Sequence, residues 1–143
     1  MTTTTQTFSE VPIFQSLSFR ALDRLDKLAR VRNFKGGDVI VREGDEGVGF
    51  FLITGGNVRI TRANAEIATL SRGDFFGEMA LLDGERRSAT VTATQSTTCV
   101  AVLRSDFIAE LRSNADVAIE LLALMSRRVR ELDQRVAGPN CRA

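Results

Sequence analysis

A chain of 143 residues with a formal net charge of +1 fits one domain with its appended helices, and 43% apolar and 26% charged residues suit a soluble globular protein with a core to bury. Histidine is absent and the two cysteines, Cys99 and Cys141, stand far apart, which removes the commonest general base and metal ligand, leaves no disulfide framework or metal cluster, and favours a reducing compartment. The 19 lysines and arginines form no basic stripe and no stretch approaches the roughly 18 apolar residues of a membrane span, so the expectation is a cytoplasmic chain without metal, cofactor, membrane or nucleic-acid partner.

Residues 1–7 are Thr-rich, carry no basic segment followed by an apolar one, and are expected to form a flexible tail. Order is expected from Phe8, where Val11, Pro12, Ile13 and Phe14 supply the first apolar cluster. Ser18 is placed to cap a helix whose Leu22, Leu25 and Leu28 recur on one face, with Arg20, Asp23, Arg24 and Lys27 on the other. From Val31 to Val102 short β-branched and aromatic runs alternate with glycine turns, the mark of an all-β sandwich or barrel. Strands are expected at Val39–Val41, Phe50–Ile53, around Val58 and Ile60, at Ile67–Leu70, Ala89–Ala93 and Thr97–Leu103. Thr54 to Asn57 is read as a hairpin turn, and Gly44, Gly56 and Gly73 as turn residues without a ligand role.

The chain then turns helical. Ser105 is placed to cap a helix carrying Phe107, Ile108 and Leu111, and Asn114 a longer one carrying Val117, Leu121, Met125, Val129, Leu132 and Val136, stopped by Gly138 and Pro139. The stripe from Leu121 to Val136 reads as core or as a dimer seam, and Cys99 as a small core hydrophobe.

One segment breaks the β pattern. Between Phe75 and Ser88 lies an insertion too long for a hairpin loop, with a helix-like run from Glu78 to Leu82 inside it. Gly77 can admit a ligand close to the backbone, and a helix starting after it leaves the amides of Glu78, Met79 and Ala80 without intrahelical partners, a site suited to an anion. Arg87, where the chain returns to a strand, can fork two hydrogen bonds onto a phosphate with full compensating charge. Glu78 would repel that phosphate, but a carboxylate accepts from a neutral donor, so a hydroxyl beside the anion fits it. Anion cradle plus hydroxyl acceptor describes a ribose phosphate.

The run Phe76-Gly77-Glu78-Met79-Ala80-Leu81-Leu82, a four-residue gap, and then Arg87-Ser88-Ala89-Thr90-Val91 resembles the phosphate-binding cassette of the cyclic nucleotide-binding domain family, which includes bacterial catabolite activators and protein kinase A regulatory subunits. Glu43-Gly44-Asp45, Phe51-Leu52-Ile53 and Gly56-Asn57-Val58 extend the resemblance, which spans residues 8–136 as one domain, with a second flexible tail at 137–143. It implies a mainly β fold with flanking α-helices: an eight-stranded β-roll of the double-stranded β-helix jelly-roll type, with N-terminal helices and two C-terminal ones. It makes Glu78 the acceptor of the ribose 2′-hydroxyl and Arg87 the partner of an exocyclic phosphate oxygen. Phe76, Gly77, Met79, Ala80, Ser88 and Ala89 become the surrounding donors and walls, while Arg86 matches no required position.

The family's last helix often serves as a lid over the base and a dimer seam, which brings Arg128 and Leu132 into the expected site and a homodimer into view. The expected ligand is cAMP, favoured over cGMP because it is the commoner ligand of members with this motif; Ser88 suits either base. The expected role is a stand-alone sensor or regulatory module, not an enzyme, acting on a downstream protein the residues do not identify. A metal-dependent enzyme on a double-stranded β-helix needs two or more histidines, and this chain has none. The alternative is the sensor half of a helix-turn-helix transcription regulator, cut before its DNA-reading segment, responding to cAMP or another small effector.

Overall fold

A computed structural model describes residues 7–47 and 49–137. The expected tails fall almost wholly outside these residues, as does the expected stop at Gly138 and Pro139. Single 3-10 turns at Phe8–Glu10 and Pro12–Phe14 lead into α1 (Phe19–Asp26). The β region runs β1 (Arg30–Phe34), β2 (Val39–Val41), β3 (Gly49–Gly55), β4 (Asn57–Arg62), β5 (Ala65–Ser71) and β6 (Phe75–Phe76). Then come α2 (Glu78–Asp83), β7 (Thr90–Ala93), β8 (Thr97–Leu103), α3 (Arg104–Ser113) and α4 (Ala115–Ala137). The strands form two four-stranded antiparallel sheets, ordered β1-β8-β3-β6 and β2-β7-β4-β5. This is the two-sheet roll with helices at both ends.

The continuous apolar run of β3 has a structural cause. Phe51 and Ile53 face the second sheet and share a core with Val58, Phe76, Val91, Cys99 and Ala101. Phe50 and Leu52 face the opposite way, into a second core with Phe8, Phe14, Leu25, Phe107, Val117, Leu121 and Leu124 from the helices and terminal turns. Phe8 anchors that layer, with ring centroids 5.0 Å from Phe14, 5.6 Å from Phe50 and 6.2 Å from Phe107. The Phe8 amide donates to the buried carboxylate of Asp26 at 2.6 Å, and burial pushes the Asp26 carboxyl up to about 6. Ser18 caps α1 by accepting from the Ala21 amide at 3.1 Å.

Several local expectations are corrected. Thr54 to Asn57 is not a hairpin turn, because β3 and β4 lie in different sheets. It is a corner, and its hydrogen bonds come from the β7 to β8 connection: the Asn57 amide donates to Thr97 Oγ1 at 3.2 Å and the Asn57 carbonyl accepts from the Thr94 amide at 3.0 Å. Gly56 at φ 103° makes the corner possible, since a Cβ there would collide with Ser96 and Thr97. The hairpin lies one strand later, where Ala63 and Asn64, both at positive φ, join β4 to β5.

Ser105 does not cap α3, which begins at Arg104 with Leu103 before it and no side-chain cap bond. Asn114 is the junction of the last two helices: it closes α3, and its carbonyl accepts from the amides of Val117 and Ala118. The apolar stripe of α4 divides in two. Leu121 and Leu124 are buried and Met125 packs against the core, whereas Val129 and Leu132 are 64% and 54% exposed.

Candidate functional site

The site begins with a short strand that fixes a glycine. Phe75 and Phe76 pair with Leu52 and Phe51 of β3, and the Phe76 ring stacks on that of Phe51 at 5.0 Å. Gly77 follows at φ 84°, a left-handed conformation that favours glycine, and a Cβ there would collide with Arg87 Nη1 and the Gly49 carbonyl. The missing side chain is thus the space that the guanidinium occupies. Leu81 and Ala80 bury one side of α2, leaving Glu78 half-buried at its first residue and Met79 exposed.

Beyond α2 the chain is stitched to the loop before β3. The Gly47 amide donates to the Glu85 carbonyl at 3.1 Å, the Arg87 amide to the Asp45 carbonyl at 2.7 Å and the Gly44 amide to the Arg87 carbonyl at 2.9 Å. Arg86 Nη1 donates to the Gly44 carbonyl at 2.8 Å. These bonds fix the backbone of Arg87 from both sides. At the same, C-terminal end of α2, Arg104 of α3 lies over Gly84 and donates to the Leu82 carbonyl at 3.4 Å.

Arg87 is 9% exposed. Its Nη2 donates to the Gly49 carbonyl, yet its Nε is buried without a hydrogen-bond partner, and none of the ion pairs among the described residues involves Arg87 or Glu78. Burial lowers the Arg87 pKa from its ordinary value. A buried guanidinium without a counter-charge is costly unless an anion joins it.

Next to it opens a cavity of about 390 Å³, within the range of small-molecule sites. Val41, Ile60, Ile67 and Val91 supply its apolar wall; Phe76, Gly77, Glu78, Met79, Ala80, Arg87, Ser88 and Ala89 supply the expected lining, with Arg62, Asp83, Glu85 and Arg86 also bordering it. Eight of the ten expected site residues are therefore brought together. Arg128 and Leu132 are not: they do not line the cavity, and α4 is exposed from Ser126 to Arg135, past its last core contacts. One expected donor is also corrected, because the Ala80 amide is taken by the Gly77 carbonyl at 3.1 Å, which leaves Ala80 as wall. The apolar wall was missed by motif reading, although the alternation through Val58, Ile60 and Arg62 carried the signal.

Among the described residues, no group of three or more His, Cys, Asp or Glu could hold a metal ion, and no helix is long and apolar enough to cross a membrane.

A family model described as the cyclic nucleotide-binding domain matches residues 31–114, which hold the whole cavity. The chain is 35% identical over 127 residues to the cyclic AMP receptor protein of Thermus thermophilus, covering 85% of this chain and 59% of that protein. It is 38% identical over 99 residues to a cGMP-dependent protein kinase of Toxoplasma gondii, covering 69% of this chain and 10% of the kinase. Among solved structures, the N-terminal domain of a transcriptional regulator from Streptomyces coelicolor superposes with a TM-score of 0.77 at 26% identity, covering 89% of this chain and 94% of that one. The Thermus thermophilus catabolite activator protein does so at 0.62 and 34% identity, over 88% of this chain and 62% of its own. The chain spans less than two thirds of the length of these curated relatives.

Proposed function

The chain belongs to the cyclic nucleotide-binding domain family, and from that premise we propose that it is a non-catalytic regulatory module that binds cAMP in preference to cGMP. The observation that carries this reading is Arg87, buried, without a counter-charge and with Nε unsatisfied, against the side-chain-free space at Gly77. Arg87 takes an exocyclic phosphate oxygen, the free amides at the start of α2 approach the same anion, and Glu78 accepts from the ribose 2′-hydroxyl. Preference for cAMP is supported by the cyclic AMP receptor relative, which matches 85% of this chain against 69% for the cGMP-dependent kinase. Because cGMP-dependent kinases also match, the base is decided by titrating both nucleotides calorimetrically. The expected result is micromolar or tighter affinity, roughly 8 kcal/mol, with cAMP ahead; no binding of either at about 100 micromolar protein overturns the reading.

In this proposal the ligand draws α2 inward, and Arg104, which touches α2 and begins α3, passes the movement to α3 and α4. The shift requires the ligand to favour one arrangement of these elements over the other. An apolar stripe running from Leu122 along α4 is the proposed seam of a homodimer. Leu122, Met125, Val129 and Leu132 follow a three-four-three spacing, and Leu122, Val129 and Leu132 are exposed. The proposed compartment is the cytoplasm.

A second reading, the sensor portion of a transcription regulator, is favoured by the match to nearly the whole N-terminal domain of one. It is tested by whether the gene continues beyond Ala143 into a DNA-binding segment.

A further inference from the structure

Arg62 ends β4, two residues beyond Ile60 and four beyond Val58. Strand alternation puts these three side chains on one face: Val58 is buried between the sheets, and Ile60 and Arg62 line the cavity. Arg62 Nε donates to the Ser88 carbonyl at 3.0 Å, which ties the guanidinium to the residue after Arg87. Its two terminal nitrogens have no hydrogen-bond or ion-pair partner among the described residues. The cavity thus contains a second, oriented guanidinium that the cassette motif does not include.

We infer that Arg62 covers the purine base of the bound nucleotide, its guanidinium lying against the ring face. The inference rests on the cyclic nucleotide reading above. The anion has its own cation in Arg87, whose buried Nε lacks a partner, whereas Arg62 has already spent Nε on a neutral carbonyl. A flat base laid on the wall of Val41, Ile60 and Ile67 has one face covered and one open. The residues expected to close that face from α4, Arg128 and Leu132, do not reach the cavity. Arg62 borders the same wall and is planar and weakly hydrated, so it stacks on a π-face with little desolvation cost. Arg86, which also borders the cavity, is tied instead to the Gly44 carbonyl. The stack takes adenine and guanine alike, so Arg62 sets purine binding and leaves the choice between the purines to other groups.

The test compares wild type, Arg62→Ala and Arg62→Lys in titrations with cAMP and with the pyrimidine nucleotide cUMP, which shares the ribose and cyclic phosphate. In Arg62→Ala, cAMP affinity is expected to fall about 5- to 30-fold and cUMP affinity less than about threefold, since a single ring offers less face to stack on. Lysine keeps the charge without the plane and is expected not to restore the cAMP-to-cUMP ratio. Equal losses for both nucleotides would mean that Arg62 acts through Ser88 on the shared phosphate, and would overturn the inference, as would unchanged affinities in both variants. If the wild type binds neither nucleotide, it is the cyclic nucleotide reading itself that fails.

Discussion

Arg87 is buried with no ion-pair partner among the described residues, and Gly77 is the reason it fits there. These two positions, with Glu78 between them in sequence, were legible from residues alone because the chemistry is local: a glycine, a helix start and an arginine within eleven residues. Arg62 was not legible, because its tie to Ser88 crosses 26 residues of chain and exists only once β4 lies beside β7. That Arg128 and Leu132 lie away from the cavity was hidden for the converse reason: the periodicity of α4 says which side chains share a face but not how far the helix follows the core. At this scale Glu78→Ala is expected to weaken cAMP binding and erase any preference over 2′-deoxy-cAMP. Affinities of the two ligands measured on wild type and variant check this, and a wild type that binds both equally contradicts the role given to Glu78.

Among the elements, α1 and the first 3-10 turn are held together by a carboxylate that the fold buries. The strongest cause of the raised Asp26 pKa is desolvation; the Phe8 amide lowers it and the nearby charge of Asp23 raises it. A folded pKa of about 6 against an ordinary 3.8 means that the folded chain holds the proton more tightly. This contribution is therefore fully present below about pH 4 and is lost as pH rises to about 6, at a cost of at most about 3 kcal/mol. Asp26→Asn keeps an acceptor for the Phe8 amide and removes the charge. Its thermal midpoint is expected to gain on that of the wild type from pH 4 to pH 6.5, and a difference that stays constant with pH contradicts the assignment. Six of the eight strands and the α2 insertion were readable from alternation and punctuation, while β1, rich in charged and polar residues, and the two-residue β6 were not placed. The partners of β3 were not: a run buried on both faces carries no period, and a glycine corner that switches sheets has the composition of a hairpin turn.

For the whole molecule, the helical layer has two ends with different tasks. Its first end, through Phe107, Val117, Leu121 and Leu124, closes the core outside β3; its second leaves the roll with Val129 and Leu132 exposed. If these two residues belong to the proposed dimer seam, the double variant Val129→Glu, Leu132→Glu sediments as a monomer while the wild type sediments as a dimer, with the thermal midpoint of the roll little changed. Equal sedimentation of the two proteins contradicts the seam. An all-β sandwich or barrel was legible at this scale from regular glycine turns between β-branched runs, whereas the eight-stranded roll came from the family resemblance.

The most direct test of the central claim is cAMP affinity in wild type and Arg87→Gln, a change that removes the buried charge while leaving a donor able to reach toward the Gly49 carbonyl. The account predicts a loss of about 2 to 5 kcal/mol, roughly 30-fold or more, with cooperative unfolding retained. A variant that binds cAMP as tightly as the wild type would contradict it.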